Sequence, residues 1–138
     1  MSNDLFCEIV AGERPAHIVH SDEVVVAFLD VRPVFKGHVL VVPRIHVETF
    51  GELGDVGPFF ERVQLVTRAV EEGLEAAGTF VAMNNRISQS VAHLHVHVVP
   101  RNPKDGLRGF FWPRTKYASE EEARSYAELI AKALPTPS

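Results

Sequence analysis

Residues 89–100 contain three histidines separated by single apolar residues, in the order Gln89-Ser90-Val91-Ala92-His93-Leu94-His95-Val96-His97-Val98-Val99-Pro100. Successive side chains of a β-strand point to opposite faces of the sheet. The pattern therefore predicts a strand over residues 92–99, with three imidazoles on one face and Leu94, Val96 and Val98 buried on the other. The flanking valines and Pro100 favour a strand over a helix in this segment.

Three interpretations of the histidine row are open from the residues alone. Solvated histidines on an exposed face explain a single histidine well and three aligned ones poorly. A zinc or copper site is the second interpretation, since imidazole is a good ligand for both metals. The outer pair of a straight row, however, is ~13 Å apart at the Cα atoms, too far to share one ion easily. The third interpretation is nucleophilic catalysis, in which a neutral imidazole attacks an electrophile and its neighbours fix its tautomer.

Other strand-like segments lie on the N-terminal side of the histidine row. Runs rich in β-branched residues predict strands over 24–29, 38–42 and 79–83, and residues 14–21 could add one more. Together with the strand over 92–99, these segments predict an antiparallel sheet of about five strands.

Two segments have the spacing typical of helices. Residues 55–77 carry apolar side chains three and four positions apart, which predicts a long central helix with Gly78 as its C-terminal cap. Ser119 and Glu122 match a capping box and predict a C-terminal helix over residues 119–134.

Length and composition restrict the class of protein. The chain has 138 residues, of which 46% are hydrophobic, so we expect one α+β domain over residues 1–138. The net charge of −4 argues against a nucleic-acid-binding protein. Cys7 is the only cysteine, which excludes an internal disulfide. With neither a secretory signal nor an apolar run of membrane length, the expectation is a cytoplasmic protein that does not bind membranes.

The segment His93-Leu94-His95-Val96-His97-Val98-Val99 resembles the signature of the histidine triad family, in which three histidines alternate with apolar residues and two apolar residues close the motif. Segments 6–13, 27–30 and 36–44 resemble the family's N-terminal segment, its nucleoside-binding strand end and the strand that follows. Gln89-Ser90 precedes the triad at the family's spacing. The resemblance covers the expected core, residues 5–101, and leaves residues 102–138 as a C-terminal loop and helix.

The resemblance implies a fold and an activity. Members of the family form a compact α+β domain and pair into homodimers with a continuous antiparallel sheet. They bind a purine nucleotide with its α-phosphate beside the triad, and the middle histidine, here His95, attacks the phosphorus to form a covalent nucleotidyl-histidine. A hydrolase or nucleotidyl transferase is therefore expected, acting on a nucleoside phosphoramidate or a dinucleoside polyphosphate. No cofactor and no catalytic metal are expected, because a cation on His95 would occupy the lone pair needed for attack.

The same resemblance assigns the remaining catalytic residues. His97 is expected to meet the phosphate and His93 to orient the site. Gln89 and Ser90 are expected to hydrogen-bond the phosphate or the bridging leaving atom, although either could be an ordinary polar loop residue.

A second group of residues is expected to bind the nucleotide: Asp30, Phe28, Leu29, Ile9, Asn84 and His38. The Asp30 carboxylate can accept two hydrogen bonds and so suits the ribose hydroxyls. Phe28, Leu29 and Ile9 are expected to line the base pocket, with Phe28 equally explained as a core residue. His38 is expected to support the triad, and Asn84 rather than Asn85 matches the family's phosphate-side asparagine.

The dimer implied by the resemblance needs an apolar interface. The long helix carries Phe59, Val63, Val66 and Val70, which are more apolar residues than one small sheet needs to cover. They are expected to supply part of the interface.

The N-terminal segment departs from the family pattern at one position. Some bacterial relatives hold a structural zinc ion with a Cys-x-x-Cys pair, a later histidine and the first triad histidine. This chain offers Asp4, Cys7, His46 and His93, with a carboxylate in place of one thiolate. Structural zinc sites favour sulfur and imidazole, so a buried free cysteine is the alternative.

Two loops leave the leaving-group side of the site undefined. Residues 84–90 form a shorter loop than in many relatives and lack glycine, and Arg86 there lies either near a polyphosphate or in solvent. Residues 105–114 concentrate arginines and aromatics. Arg108 and Arg114 could contact a polyphosphate and Trp112 could stack on a second base, or the segment packs on a dimer partner.

Two other functions compete with the enzyme. One is a nucleotide-binding regulatory protein with little turnover, which release of nucleoside monophosphate would exclude. The other is a metal-dependent hydrolase that uses the histidine row, which activity surviving a strong chelator would exclude.

Overall fold

The structure is a computed structural model that describes residues 4–107 and 114–135. The chain consists of two compact units, Met1–Asp105 and Gly106–Ser138. The first unit contains the following elements: α1 Leu5–Val10, β1 Ile18–Ser21, β2 Val25–Leu29, β3 Val39–Pro43, a 3-10 turn Phe50–Glu52, α2 Val56–Leu74, β4 Gly78–Ala82 and β5 Val96–Arg101.

The strands form one sheet in the order β1-β2-β3-β5-β4, and every neighbouring pair is antiparallel. The expected α+β class with a five-stranded antiparallel sheet is therefore confirmed. The further strand suggested within residues 14–21 is β1.

Helices cover both faces of the central strands. Val25 and Ala27 of β2 pack in the same cluster as the apolar face of α2. Val26 and Phe28 alternate with them and pack with Phe6 of α1 on the opposite face. Because both faces are buried, β2 and β3 have nearly continuous apolar sequences, and the α1 face is available to build a site beside β5.

The central helix is shorter than predicted. It spans Val56–Leu74 rather than residues 55–77, because Glu75 adopts the left-handed conformation at φ 51° and ends the helix. Gly78, predicted as the cap, is instead the first residue of β4.

The apolar stripe of α2 is buried within the protomer. Phe59, Val63, Val66 and Val70 are between 0% and 5% exposed and pack against the sheet. The expectation that these residues supply a dimer interface is therefore wrong, since one small sheet covers them completely.

The strand predicted over residues 92–99 begins later, at Val96. Pairing between β3 and β5 reaches only as far as Val41 opposite Val96. Beyond that point the Leu94 amide donates to the carbonyl of Val47 at 2.8 Å, outside the strand ladder. Pro43, at the end of β3, has no amide hydrogen with which to extend the ladder.

This late start separates the three histidines. His93 and His95 lie in the segment that leads into β5, and only His97 lies on the strand. The predicted alternation still holds for the apolar positions, because Leu94, Val96 and Val98 are all fully buried.

The second unit contains helix α3, Glu120–Ala133, close to the predicted 119–134. The Ser119 side chain caps it by accepting the amide hydrogen of Glu122 at 3.1 Å. The suggested roles of Arg108 and Trp112 fall on residues 108–113, outside the described residues. Among the described helices, none combines the length and apolarity needed to cross a membrane.

Candidate active site

A cleft of about 520 Å³ lies on the α1 face of the sheet. Its polar lining includes Ser90, His95, His97 and Asp30. Its apolar lining includes the residues predicted for a base pocket: Ile9, Phe28 and Leu29. The structure therefore brings seven of the predicted site residues to one cavity, and the cavity has the size of a small-molecule site.

His95 is buried in this cleft and has a defined tautomer. It is only 3% exposed, and burial lowers the pKa of its imidazole, so the ring is neutral at pH 7. Its Nδ1 lies 2.8 Å from the carbonyl oxygen of His93. Because a carbonyl can only accept, Nδ1 carries the proton and the lone pair is on Nε2. A neutral imidazole with a held Nδ1–H is a competent nucleophile.

His38 and His97 form a hydrogen-bonded pair that starts from the backbone. The Val34 amide donates to His38 Nδ1 at 3.1 Å, so the His38 proton is on Nε2. His38 Nε2 in turn lies 2.9 Å from His97 Nδ1, to which it donates. His97 is consequently left with a proton on Nε2, and this N–H is available as a donor.

Both rings of this pair are neutral. Burial lowers the pKa of His38. Burial also lowers the pKa of His97 to about 4, with contributions from His95 and His38. The chain of donors from Val34 to His97 is therefore intact throughout the neutral pH range.

Asp30 lies at the end of β2, where the cleft meets solvent. Its Oδ1 accepts the amide hydrogen of Arg32 at 2.9 Å, which fixes the carboxylate in a tight turn. Its Oδ2 lies 3.8 Å from His38 Nε2 and retains lone pairs for a ligand. Arg32 and Arg14 also line the cleft. Sequence analysis did not assign either arginine, because nothing in the local pattern separates them from ordinary surface residues.

Phe6 is a second residue that sequence analysis missed. Its ring packs edge-on against His95, with centroids 4.9 Å apart and an interplanar angle of 80°. The same ring lies 6.0 Å from His93 and 5.4 Å from Phe28. The only feature of the sequence that pointed to Phe6 as a site residue was its position in the N-terminal segment that resembles the family.

Gln89 and Asn84 are not brought to the cleft. The Gln89 side chain accepts the amide hydrogen of Arg86 at 2.9 Å and donates to the carbonyl of Glu48, so both ends of the amide already have partners outside the cleft. Asn84 is exposed and does not line the cavity. The loop also holds two non-glycine residues in the left-handed region, Arg86 at φ 71° and Ser88 at φ 61°.

His93 belongs to a separate cluster behind the cleft. Its Nε2 lies 3.1 Å from the carbonyl oxygen of Pro43, so Nε2 carries the proton and Nδ1 carries the lone pair. That Nδ1 faces His46 Nδ1 at 3.3 Å, Cys7 Sγ at 3.6 Å and Asp4 Oδ1 at 3.3 Å. One ligand atom from each of the four residues lies within 4.8 Å of all the others.

The donor atoms of this cluster fit a tetrahedral zinc ion. Ligands bound at typical zinc distances lie roughly 3.3–3.8 Å apart at the corners of a tetrahedron. The distances from His93 Nδ1 to His46 Nδ1 and to Cys7 Sγ, 3.3 and 3.6 Å, lie in this range. Cys7 Sγ and Asp4 Oδ2 lie slightly closer to His46 Nδ1, at 3.2 and 3.1 Å. Asp4 Oδ2 is buried, and apart from this contact it has no hydrogen-bond partner among residues 4–107 and 114–135. Burial acts to raise the pKa of Asp4, but the Cys7 amide and His93 outweigh it and lower the pKa, which keeps the carboxylate charged.

Comparison with known proteins identifies the family. The family model described as the HIT domain matches residues 11–104. This chain belongs to the histidine triad family. A crystal structure of a HIT-family protein from Bacillus subtilis matches with a TM-score of 0.89 and 35% identity, over 99% of this chain and 100% of the other.

Two further relatives of this histidine triad protein have informative names. One is the adenosine 5'-monophosphoramidase hnt1 of Schizosaccharomyces pombe, 34% identical over 93% of this chain and 96% of its own length. The other is a zinc-bound histidine triad family protein from Mycobacterium smegmatis, whose crystal structure matches with a TM-score of 0.71 and 34% identity, over 93% of this chain and 96% of that one.

Proposed function

We propose that this protein hydrolyses a purine nucleoside phosphoramidate at its α-phosphorus, through a covalent intermediate on His95. The observation that carries the proposal is the tautomer of His95. Its Nδ1–H is held by the His93 carbonyl at 2.8 Å, which leaves the Nε2 lone pair for attack inside a cleft that also contains Asp30.

The nucleoside is expected to occupy the apolar end of the cleft. Ile9, Phe28 and Leu29 provide a surface for a purine base, and Asp30 Oδ2 accepts from a ribose hydroxyl. The side chains of these residues come from α1 and from β2 with the turn after it, so the base lies between a helix and the sheet.

The phosphate is expected to lie against the histidines. The Nε2–H of His97, fixed by the bond from His38, donates to a non-bridging phosphoryl oxygen. Ser90 lines the same cavity, and its hydroxyl supplies a second donor. Donors that are already oriented stabilise the charge that develops on these oxygens in the transition state.

The reaction has two displacement steps. The Nε2 lone pair of His95 forms a bond to the α-phosphorus, and the phosphorus–nitrogen bond of the substrate breaks. The amine leaves with that electron pair and takes up a proton from water. A water molecule then attacks the phosphorus and gives its proton to solvent, and the nucleoside monophosphate departs while His95 regains its lone pair.

A phosphoramidate is the first choice of substrate for two reasons. The Schizosaccharomyces pombe relative is named as an adenosine 5'-monophosphoramidase. In addition, the Gln89 amide is bonded to Arg86 and Glu48, and Asn84 is outside the cleft, so neither is positioned to hold a long leaving group. A dinucleoside polyphosphate is the second substrate class to test.

Zinc, where bound, is expected to be structural. Asp4, Cys7, His46 and His93 would hold it, and it would cross-link the N-terminal segment to the segments that follow β3 and precede β5. His95 does not belong to this ligand set, and the nucleophile therefore keeps its lone pair.

The proposal is tested with adenosine 5'-phosphoramidate and purified protein. Release of adenosine monophosphate supports the enzyme, and tight binding without release would support the regulatory alternative. Equal turnover before and after removal of loosely bound metal by a chelator supports the histidine nucleophile. Activity that returns only when zinc is added to a folded, fully metal-free protein would favour metal-activated water instead.

A further inference from the structure

We propose that a zinc ion on Asp4, Cys7, His46 and His93 sets the affinity of the cleft for nucleotide, by fastening helix α1 and its residue Phe6 against His95. This inference rests on the proposed nucleotide site. It adds a role for the chain's own N-terminal helix beyond the contact proposed between Ile9 and the base.

Helix α1 is too short to be stable on its own. It has six residues, Leu5–Val10, and isolated helices of that length are not stable in water. Two side chains hold it on the sheet, since only Phe6 and Ile9 of this helix are buried. Asp4 caps it by accepting the Cys7 amide hydrogen at 2.7 Å. An ion on Asp4 and Cys7 would therefore supply a large share of the force that holds α1 in place.

The same helix forms one wall of the cleft. Leu5, Phe6 and Ile9 all line the cavity that contains His95 and Asp30. The ligand Asp4 directly precedes Leu5, and the ligand Cys7 lies between Phe6 and Ile9 in the sequence. Any movement of α1 away from the ligand cluster would consequently enlarge the cavity and remove the apolar surface proposed for the base.

Two contacts connect the ligand cluster to the nucleophile. Phe6, between the two ligands in sequence, packs edge-on against His95 at 4.9 Å. His93 offers Nδ1 to the cluster, and its carbonyl oxygen accepts the His95 Nδ1–H at 2.8 Å. Phe6 is in this sense a positioning residue for His95.

The Asp4 carboxylate makes the position of α1 depend on the ion. Asp4 Oδ2 is buried and faces His46 Nδ1 at 3.1 Å, and Asp4 Oδ1 faces the lone pair of His93 Nδ1 at 3.3 Å. A buried carboxylate that faces the lone pair of a neutral imidazole, with no cation between them, is costly. We therefore expect α1 of the metal-free protein to be displaced often enough to weaken nucleotide binding.

The test compares the zinc-loaded and metal-free forms of the full-length protein. Zinc content is determined by elemental analysis, and binding of adenosine monophosphate is measured by calorimetry. Hydrogen exchange is followed at residues 5–10 and at the sheet. We expect one zinc per chain, adenosine monophosphate affinity about 5–150-fold weaker without zinc, and faster exchange in α1 while the sheet stays protected.

Two variants and one control variant locate the effect. Asn caps helices as well as Asp does, so Asp4→Asn keeps the cap and removes the charged ligand; it should bind zinc more weakly and give the metal-free affinity. Glu13→Gln removes one charge from an exposed residue beyond α1 and should behave as the wild type. Phe6→Leu should still bind one zinc ion per chain, yet lose most of the dependence of nucleotide affinity on zinc.

Several outcomes would overturn the inference. These are a zinc content near zero after growth and refolding with zinc, equal nucleotide affinity with and without the ion, and loss of protection in the sheet at the same rate as in α1. The last outcome would mean that the ion stabilises the whole fold rather than α1. Absence of any nucleotide binding to the zinc-loaded protein would contradict the proposed function instead, and hydrogen exchange would then still report on α1.

Discussion

His38 donates its Nε2–H to Nδ1 of His97 across 2.9 Å, and this bond decides which ring nitrogen of His97 can face a substrate. The bond depends in turn on the Val34 amide, which occupies His38 Nδ1. A backbone turn before β3 thus determines the donor geometry of a histidine on β5.

We expect His38→Phe to lower kcat roughly 10-fold or more with little change in KM, because it removes a donor orientation that matters chiefly in the transition state. His38→Asn retains a donor and an acceptor and should recover part of the loss. Steady-state kinetics on a phosphoramidate give both constants. An unchanged kcat in the Phe variant, or a KM that rises in proportion, would contradict this role.

Asp30 is expected to recognise the ribose. Asp30→Ala should weaken binding of a ribonucleotide by about 1.5–3 kcal/mol, the loss typical of a hydrogen bond to a charged group. The 2',3'-dideoxynucleotide should lose much less. Asp30→Asn is the control for disruption of the turn after β2, because its side-chain oxygen can still accept the Arg32 amide hydrogen. Equal losses for both ligands would show that Asp30 does not contact the ribose.

Asp22 gives the fold a predictable response to acid. It accepts the amide hydrogens of Val24 and Val25 at 2.8 and 2.9 Å, and it contacts His20 and Arg62. Burial acts to raise the pKa of Asp22, but these partners outweigh it and hold the pKa well below its usual range. The resulting stabilisation is present above the unfolded pKa of about 3.9 and is lost as the pH falls below it.

Asp22→Asn should therefore lower the free energy of unfolding by about 1–3 kcal/mol at pH 7, with the difference from wild type narrowing below about pH 4. Glu23→Gln, next to it, removes an exposed partner of Arg62 and should change little. Denaturant unfolding at a series of pH values provides the measurement. A difference that is constant from pH 7 to pH 3 would show that Asp22 does not act through its charge.

Most of the fold could be predicted because it depends on local patterns. Apolar runs such as the one over Val25–Leu29 placed the strands to within a few residues, and Ser119 marked the start of α3. The late start of β5 was missed because it depends on Pro43, a residue of another strand that cannot extend the ladder. The end of α2 was missed because Glu75 takes the left-handed conformation usually left to glycine.

The site was harder to predict than the fold. The histidine spacing suggested that all three side chains form a row on one face. In the structure, the His93 side chain instead lies in a cluster with Asp4, Cys7 and His46. The resemblance to the family named these four residues as a set, which the structure confirms. Periodicity alone could not have done so, because the contacts join positions up to 89 residues apart. Phe6 and Arg32 were missed for the same reason.

The homodimer remains a prediction, and the structure changes where its interface is expected. β1 and β4 form the two edges of the sheet. The pairing of β1 with β2 is irregular between Ile18 and His20, which makes β1 a poor template for another strand. We therefore expect a second copy to pair along β4.

Light scattering at micromolar concentration should give a mass of twice the 15.3 kDa of one chain. Val81→Asp on β4, where the side chain is 41% exposed, should shift the protein to the monomer. Ile18→Asp on β1, at 50% exposure, should leave the dimer intact. A wild-type mass near that of one chain would contradict the dimer, and dissociation by the Ile18 variant alone would place the interface on the other edge.

The central claim is tested most directly by trapping the intermediate on His95. Protein mixed with adenosine 5'-phosphoramidate is quenched in denaturant without acid, since the phosphorus–nitrogen bond is acid-labile, and its peptides are sequenced by mass spectrometry. The account predicts an adenylyl group on His95 and on no other residue, and a His95→Asn variant that binds adenosine monophosphate but neither forms the adduct nor turns over. An adduct on another residue, or near-normal turnover by His95→Asn, would contradict it.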